Sequence, residues 1–332
     1  MHLRKKHRNM YTQTFVALSL MRNIGSKTLI GLMDDIIRRK LTLSTAEDLY
    51  EYLDKVRPPR VKFTDESVDK AYNDARRLIY ESERMGVGIL TYFDQRFPDT
   101  LRKTMGEDGK FDPPAILYYK GNLNALNMPS VAVIGTREPT REGRYAGSVV
   151  SSHLAEAGYN IVSGLALGCD TIGHMGALSV EGVTTAFLAH GLDTIYPSEN
   201  TYLAERIIAQ GGLLLSEYPI GTRCNAYRLV ARDRLQAGLA SATLVIQTGI
   251  KGGTMHAVRA TQASAKPLLA IRYSDEVMAH RNVCGNAFLH AKGAIPVNKT
   301  TDVATLMKTL TGHPTNVHLV TEVKNPEQLT LF

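Results

Sequence analysis

The sequence has few cysteines and no long apolar run, and both absences narrow the class of protein. Only three cysteines occur among 332 residues, Cys169, Cys224 and Cys284, far apart and without a CxxC pair. A sparse, odd set argues against a disulfide framework or a zinc ribbon and favours a reducing compartment. No apolar run approaches the roughly 18 residues that a membrane-spanning helix needs. We therefore expect a cytoplasmic protein that does not enter a membrane.

The usual nucleotide-binding and catalytic signatures are also missing. No GxGxxG follows the first core strand and no acidic residue closes the second, which disfavours nicotinamide dinucleotides. The stretch "GIKGGTMHA" (249–257) places its lysine before the glycine pair, unlike the GxxxxGK[ST] loop of triphosphatases. No nucleophile–base pair stands out, the histidines are isolated, and metal-ligand spacing is absent. The sequence predicts no metal, no cofactor and no catalytic residue, and therefore a binding protein rather than an enzyme.

The composition suits a globular chain with an anionic partner. Hydrophobic residues make up 44% of the chain and charged residues 21%, which is enough apolar surface for a full core. This length favours two domains, one of them small. The net charge of +7, with a pI of about 9.2, favours a polyanion such as nucleic acid as the partner.

The pattern of apolar residues changes along the chain. Residues 11–57 show helical spacing, with Ser44 expected to cap a helix that carries Asp48 in its first turn, and a further helix is expected at about 69–85. Beyond 115, short apolar strands alternate with helices. Candidate strands lie at 115–119, 131–134, 160–162, 184–189, 213–216, 243–247, 267–271 and 295–297, and candidate helices at 141–157, 171–179, 200–210, 232–239, 253–264 and 286–291.

Strict alternation predicts an α/β fold with a doubly wound, mostly parallel, Rossmann-like sheet, preceded by a small helical domain. The predicted divisions are a helical domain at 1–68, a linker helix and extension at 69–125, the Rossmann-like core at 126–312, and a polar, loosely ordered tail at 313–332. Ligands of such a sheet bind at the carboxyl ends of its strands, near the switch in strand order.

Glycines and cations collect in these strand-end loops. Small residues let a backbone approach a ligand, and a helix N-terminus offers unpaired N–H groups to an anion. For any one loop, its glycines are explained equally well by tight turns, and its arginines by a solvent-exposed helix face, without a phosphate ligand. Together they predict a phosphate-binding rim made of Gly135, Thr136, Arg137, Ser163, Gly164, Gly168, Arg228, Arg232, Arg234, Lys251, Gly252, Gly253 and Thr254.

The ordered motifs of residues 86–297 resemble those of the DNA-processing protein A family (DprA, also called Smf). "VAVIGTR" (131–137) is similar to the family's strand ending in Gly-Ser-Arg. "SGLALGCD" (163–170), followed by His174 and Gly176-Ala177, is similar to its Ser-Gly-x-Ala-x-Gly-Ile-Asp and His-x-Gly-Ala. The stretches "FPDTLRK", "GLDTIYPSEN", "LLLSEYPIGT" and "RDRLQAGLASATLVIQ" match in order. The helical N-terminus resembles the family's small sterile-alpha-motif-like (SAM-like) domain.

This resemblance implies a function for the rim. Members of the family bind single-stranded DNA at these loops, dimerise, and load a RecA-type recombinase during natural transformation. Carried over, the DNA pocket would use Gly135, Thr136, Arg137, Ser163, Gly164, Arg232, Arg234 and Lys251. Three positions depart from the family's Phe-Pro-x-Arg-Asn-Arg, since Leu229 replaces the aromatic residue, Val230 the proline and Asp233 the asparagine.

The last five residues resemble the pentapeptide by which bacterial proteins bind the sliding clamp. Gln328, Leu329, Leu331 and Phe332 match its Gln-Leu-x-Leu-Phe pattern. Two apolar side chains on a tail can enter a hydrophobic pocket while a glutamine contacts its edge. The alternative is a terminal segment that packs on its own domain.

Other functions stay open at this point. A DprA-like protein could act in an anti-phage or toxin–antitoxin locus and restrain a toxin partner. The fold also resembles nucleotide-binding, lysine-decarboxylase-like phosphoribohydrolases, whose glutamate would fall near Val258 and Arg259 of "IKGGTMHAVRA". Small-nucleotide sensing by the same pocket is a third alternative.

Overall fold

A computed structural model of the chain describes residues 2–298 and Leu306, with side chains from Tyr11 onward. Its N-terminal part consists of four helices: α1 (His2–Leu20), α2 (Ser26–Arg38), α3 (Ala46–Val56) and α4 (Asp65–Arg84). The N-cap of α3 is Thr45, one residue after the predicted Ser44, because the Thr45 hydroxyl accepts the Asp48 N–H while the Asp48 carboxylate accepts the Thr45 N–H.

The remaining chain builds one nine-stranded sheet. Its strands are β1 (Gly88–Thr91), β2 (Ile116–Gly121), β3 (Ser130–Ile134), β4 (Asn160–Ser163), β5 (Thr184–Leu188), β6 (Leu213–Ser216), β7 (Ala242–Val245), β8 (Leu268–Ile271) and β9 (Ile295–Val297). Their order is β1-β2-β6-β5-β4-β3-β7-β8-β9. The seven strands from β6 to β9 are parallel. The predicted doubly wound, mostly parallel α/β fold is confirmed.

Helices cover both faces of the sheet. They are α5 (Asp99–Arg102), α6 (Arg141–Glu156), α7 (Cys169–Ser179), α8 (Thr201–Ala209), α9 (Ala226–Leu239), α10 (Thr254–Ala263), α11 (Asp275–Met278) and α12 (Cys284–Ala291). Apolar side chains of α6 and α7 pack on Val131 and Val133, while α10 and α12 pack on Ile134 and Val245. Among residues 2–298, no helix is both long and apolar enough to span a membrane.

Strand order reverses between β3 and β7. From β3 the chain proceeds outward through β4, β5 and β6, and then returns to place β7 on the other side of β3. Loops that leave these two neighbouring strands therefore diverge in opposite directions and open a crevice above their carboxyl ends.

The sheet differs from the prediction at one edge. The segment predicted as a strand at 115–119 pairs antiparallel with β6, and the unpredicted β1 pairs antiparallel with β2. Both strands come before the alternation of strands and helices begins. β2 pairs with β6, which is distant in sequence, and β1 joins the sheet through β2. Helix α4 corresponds to the predicted linker helix at about 69–85, and it packs on α1 and α3. The core of the four helices is continuous with side chains of the sheet region such as Tyr118 and Ile207. The domain boundaries stay a prediction.

Candidate anion-binding site

A cavity of about 640 Å³ opens at the switch point, above the carboxyl ends of β3, β4 and β7. Its walls come from the loops after β3, β4 and β7, from the loop between α11 and α12, and from one side each of α7, α9 and α10. The predicted rim residues that it brings together are Gly135, Thr136, Arg137, Arg232, Lys251, Gly252, Gly253 and Thr254.

The loop after β3 is held by backbone contacts to both of its neighbours. Thr136 N–H donates to the Gln247 carbonyl at 2.7 Å, and Thr136 carbonyl accepts the Cys169 N–H at 3.0 Å. Gly168 lies directly beneath, with a φ of +81°, and a Cβ there would overlap the carbonyl oxygens of Thr136 and Arg137. Gly168 was predicted as part of the phosphate-binding rim; in the structure its missing side chain lets this loop cross the start of α7.

The loop after β7 is positioned by a buried asparagine that sequence reasoning did not single out. Asn286 accepts the Thr248 N–H at 2.9 Å and donates to the carbonyls of Ile246 and Ile271 at 2.8 and 2.9 Å. Helix α10 follows this loop, with Gly253 as its N-cap and no side chain capping it. The positive end of α10 therefore points at the cavity.

Three exposed cations line the cavity: Arg137, Lys251 and Arg281. Within the part of the chain that the structure describes, none of these side chains forms an ion pair or a hydrogen bond. One exposed carboxylate, Glu138, lies among them. Arg281 was not predicted, although its place after β8, at the same edge of the sheet, was a usable signal. The exposed charge on the cavity walls is net positive.

Helix geometry separates the two arginines predicted from "RDR". Helix α9 begins at Ala226, six residues before the predicted start, because the Asn225 side chain accepts the Arg228 N–H at 2.8 Å. Residues two apart on a helix point to nearly opposite sides. Arg232 therefore lines the cavity, whereas Arg234 faces away and binds Glu217 through two contacts of 2.8 Å.

Arg232 is itself buried, with 4% of its surface exposed. Its Nε donates to Asp233 Oδ1 at 3.1 Å and its Nη1 donates to the Phe187 carbonyl at 2.7 Å. A Cβ at Gly164 would overlap the guanidinium, so only glycine fits beside it. Arg232 forms part of the cavity floor, and its Nε and Nη1 donate to other groups of the protein.

Arg232 forms an ion pair with Asp233 and acts electrostatically on a second carboxylate, Asp170. Asp170 is buried and accepts the N–H groups of Gly164 and Ala166 at 3.1 and 3.3 Å. Burial raises the pKa of Asp170 against the opposing effect of Arg232. Burial also raises the pKa of Asp233 to about 6; Asp170 acts in the same direction, and Arg232 and His256 oppose it. Ionisation of Asp233 thus adds one negative charge to the floor of the cavity.

Five predicted residues lie outside the walls of the cavity: Gly164 and Gly168, described above, and Ser163, Arg228 and Arg234. Ser163 is buried and donates to the Val133 carbonyl at 2.6 Å. Arg228 lies over the Tyr218 ring, with 5.1 Å from Cζ to the ring centroid, and donates to the Arg223 carbonyl. Arg234 adds a second ion pair, to Asp112, at 2.6 Å. The clamp-like residues Gln328, Leu329, Leu331 and Phe332 lie outside the described residues.

Comparison with known proteins gives one consistent family. The sequence profile of the family described as DNA recombination-mediator protein A matches residues 88–308. Protein Smf of Synechocystis sp. is 36% identical over 237 residues, 67% of this chain and 58% of its own length. Protein Smf of Escherichia coli is 35% identical over 160 residues, 48% of this chain and 43% of its own. The chain thus spans about half the length of these curated relatives.

Two solved structures share the fold. The X-ray structure of DNA processing protein A from Streptococcus pneumoniae superposes with a TM-score of 0.60 at 28% identity, covering 82% of this chain and 95% of that one. DNA processing protein A from Helicobacter pylori superposes with a TM-score of 0.57 at 30% identity, covering 68% and 95%. The Helicobacter pylori structure concerns that protein's single-stranded DNA binding mode.

Proposed function

This chain belongs to the DNA recombination-mediator protein A family, and we propose that it binds single-stranded DNA by holding backbone phosphates in the cavity between β3 and β7. The observation that carries the proposal is the convergence of Arg137, Lys251 and Arg281 on one cavity, without partners among the described residues. Cationic side chains and helix N-termini are the groups that bind nucleic-acid phosphates. The binding mode described for the Helicobacter pylori relative supports a single strand over a duplex.

We also propose that the cavity binds without catalysing a reaction. The phosphoribohydrolase alternative needs a glutamate from the helix after the glycine pair. On α10 the corresponding residues are Val258, which is buried, and Arg259, which pairs with Glu107 at 2.6 Å. Among the described residues, α10 contributes no carboxylate to the cavity. The cavity carboxylates instead lie on the loop after β3 and on α7 and α9.

The wild-type protein provides the direct test. Fluorescence anisotropy should show tight binding of an oligothymidylate of about 20 nucleotides, with affinity falling steeply between roughly 50 and 200 mM salt. A duplex of the same length and AMP should bind much more weakly, and AMP should release no free base. Equal affinity for the duplex, or base release, would contradict the proposal.

A second prediction concerns pH. Asp233 is expected to lose its proton near pH 6, and the carboxylate then opposes phosphate binding. Affinity for the oligothymidylate should therefore fall as pH rises from about 5.5 to 7.5. Asp233→Asn should remove much of that fall and strengthen binding at pH 7.5 roughly fivefold, as expected for about 1 kcal/mol from one nearby charge.

Wild type and Asp233→Asn share Asp170, His256 and every exposed cation. The difference between their affinities for the oligothymidylate therefore isolates the effect of the Asp233 carboxylate. Anisotropy titrations at matched ionic strength measure it. The same pH slope in both proteins would show that Asp233 does not act on the bound strand.

Partners beyond DNA are proposals from the sequence and the family. We propose a homodimer that acts with a RecA-type recombinase in recombination or transformation; an anti-phage locus with a toxin partner is the alternative setting. A cytoplasmic location likewise stays a prediction.

For the clamp-like motif, we propose that a labelled peptide of residues 326–332 binds the host's sliding clamp saturably. Binding that does not saturate at high clamp concentration would contradict that proposal.

A further inference from the structure

A second cavity, of about 490 Å³, lies beside the first. One wall is the loop after β5, which includes His190 and Tyr196, and the other is the segment that leads into α9, which includes Arg223. Ala226 and Leu229 line both cavities. Only the first turn of α9 therefore separates the second cavity from the phosphate cavity.

The loop that carries Tyr196 is held in place by a buried histidine. Nε2 of His190 accepts the Tyr196 N–H at 3.2 Å, so the proton is on Nδ1, which donates to the Gly191 carbonyl at 2.8 Å. Ser216 Oγ donates to the His190 carbonyl at 2.7 Å. The backbone of Tyr196 is thus anchored, while its side chain remains 49% exposed at the rim.

The walls have the chemistry of a nucleobase site. Tyr196 offers an aromatic ring, Ala226 and Leu229 offer small and aliphatic surface, and Arg223 offers an exposed guanidinium. A nucleobase has an apolar face that stacks on tyrosine or on a guanidinium plane and polar edges that remain near water. Leu229 replaces the aromatic residue of the family's motif, and Tyr196 is the exposed aromatic ring among the residues that line this cavity.

We propose that this second cavity receives an unstacked base of the same single strand, with the base stacked on Tyr196. The inference rests on the proposed phosphate cavity, because continuity across Ala226 and Leu229 is what identifies the occupant. A strand whose phosphates contact Arg137 and Lys251 can pass over the first turn of α9 and place a neighbouring base against the Tyr196 ring.

The test compares an oligothymidylate with an abasic oligonucleotide of equal length, which keeps the phosphates and lacks the bases. Wild-type protein should prefer the oligothymidylate, and Tyr196→Ala should lose roughly tenfold of that preference, within the range for one base–aromatic stack. Tyr196→Phe should restore it. The salt dependence should be unchanged in Tyr196→Ala, since no phosphate contact is removed.

A control and a folding check complete the test. Tyr80→Ala removes a ring of α4 that is 61% exposed and belongs to neither cavity, and it should bind both oligonucleotides like wild type. The thermal midpoint of Tyr196→Ala should match wild type, because the anchoring contact uses the backbone N–H. If wild type binds no single strand, the proposed function fails. If wild type binds and Tyr196→Ala keeps its full preference for the oligothymidylate, this inference alone is overturned.

Discussion

Replacing Arg137 and Lys251 together with alanine is expected to weaken single-stranded DNA binding by roughly a hundredfold at low salt. Each side chain is exposed on the cavity wall and has no ion-pair partner among the described residues, so its full charge is available to a phosphate. A charge-assisted contact of this kind contributes on the order of 1.5 kcal/mol, which is about tenfold in affinity.

The salt dependence provides the more specific measurement. Each phosphate contact with a single strand contributes about 0.7 to the slope of log affinity against log salt. Loss of two contacts should therefore make the slope shallower by roughly 1.4. A weaker affinity with an unchanged slope would mean that these residues do not contact phosphates.

A matched control separates a site from a general charge effect. Arg38 and Lys55 are exposed, lie on helices α2 and α3, and line neither cavity. The double variant Arg38→Ala with Lys55→Ala also removes two positive charges. Its affinity for single-stranded DNA and its salt slope should stay close to those of wild type. An equal loss in this control would indicate binding by overall charge alone.

Arg232→Ala is expected to destabilise the protein by about 3–5 kcal/mol, the range for breaking a buried ion pair from one side. The substitution leaves Asp170 and Asp233 without their shared guanidinium and leaves the Phe187 carbonyl without its donor. Total stabilities of domains are about 5–15 kcal/mol, so much of the stability would be lost. Urea unfolding at pH 7.5 measures the change.

The pH dependence identifies the cause. Without Arg232, the two carboxylates favour their neutral forms still more strongly, so the folded state binds more protons than the unfolded state. The stability of Arg232→Ala should therefore rise as pH falls toward 5, relative to wild type. Adding Asp233→Asn should recover part of the loss at pH 7.5, and Arg77→Ala, on the exposed surface of α4, should cost less than about 1 kcal/mol. A loss that does not vary with pH would contradict this account.

The expected results for Arg137 and Arg232 differ, although the sequence analysis predicted the same role for both residues. Arg137 and Arg232 were both predicted to clamp a phosphate. The structure exposes Arg137 on the cavity wall and buries Arg232 in the cavity floor, where its Nε and Nη1 donate to Asp233 and to the Phe187 carbonyl. Weaker DNA binding by Arg232→Ala would therefore report lost folding as readily as a lost contact, and Arg137→Ala is the more informative variant.

The local sequence determined the fold class and the location of the candidate site. Short apolar runs that alternate with helices require a parallel sheet, and the strands predicted at 213–216 and 295–297 coincide with β6 and β9. In such a sheet the carboxyl ends of neighbouring strands meet, so the loops at 135–137 and 251–254 had to converge.

Only the tertiary structure decided which charged side chains at the cavity are exposed and unpaired among the described residues. The packing of α9 against the sheet turned Arg232 toward the cavity and Arg234 toward Glu217. Arg281 reached the cavity from the loop between α11 and α12, and Tyr196 reached the second cavity from the loop after β5. Whether a charged side chain is free or paired depends on partners far away in sequence, and those partners are chosen by packing, which no local pattern encodes.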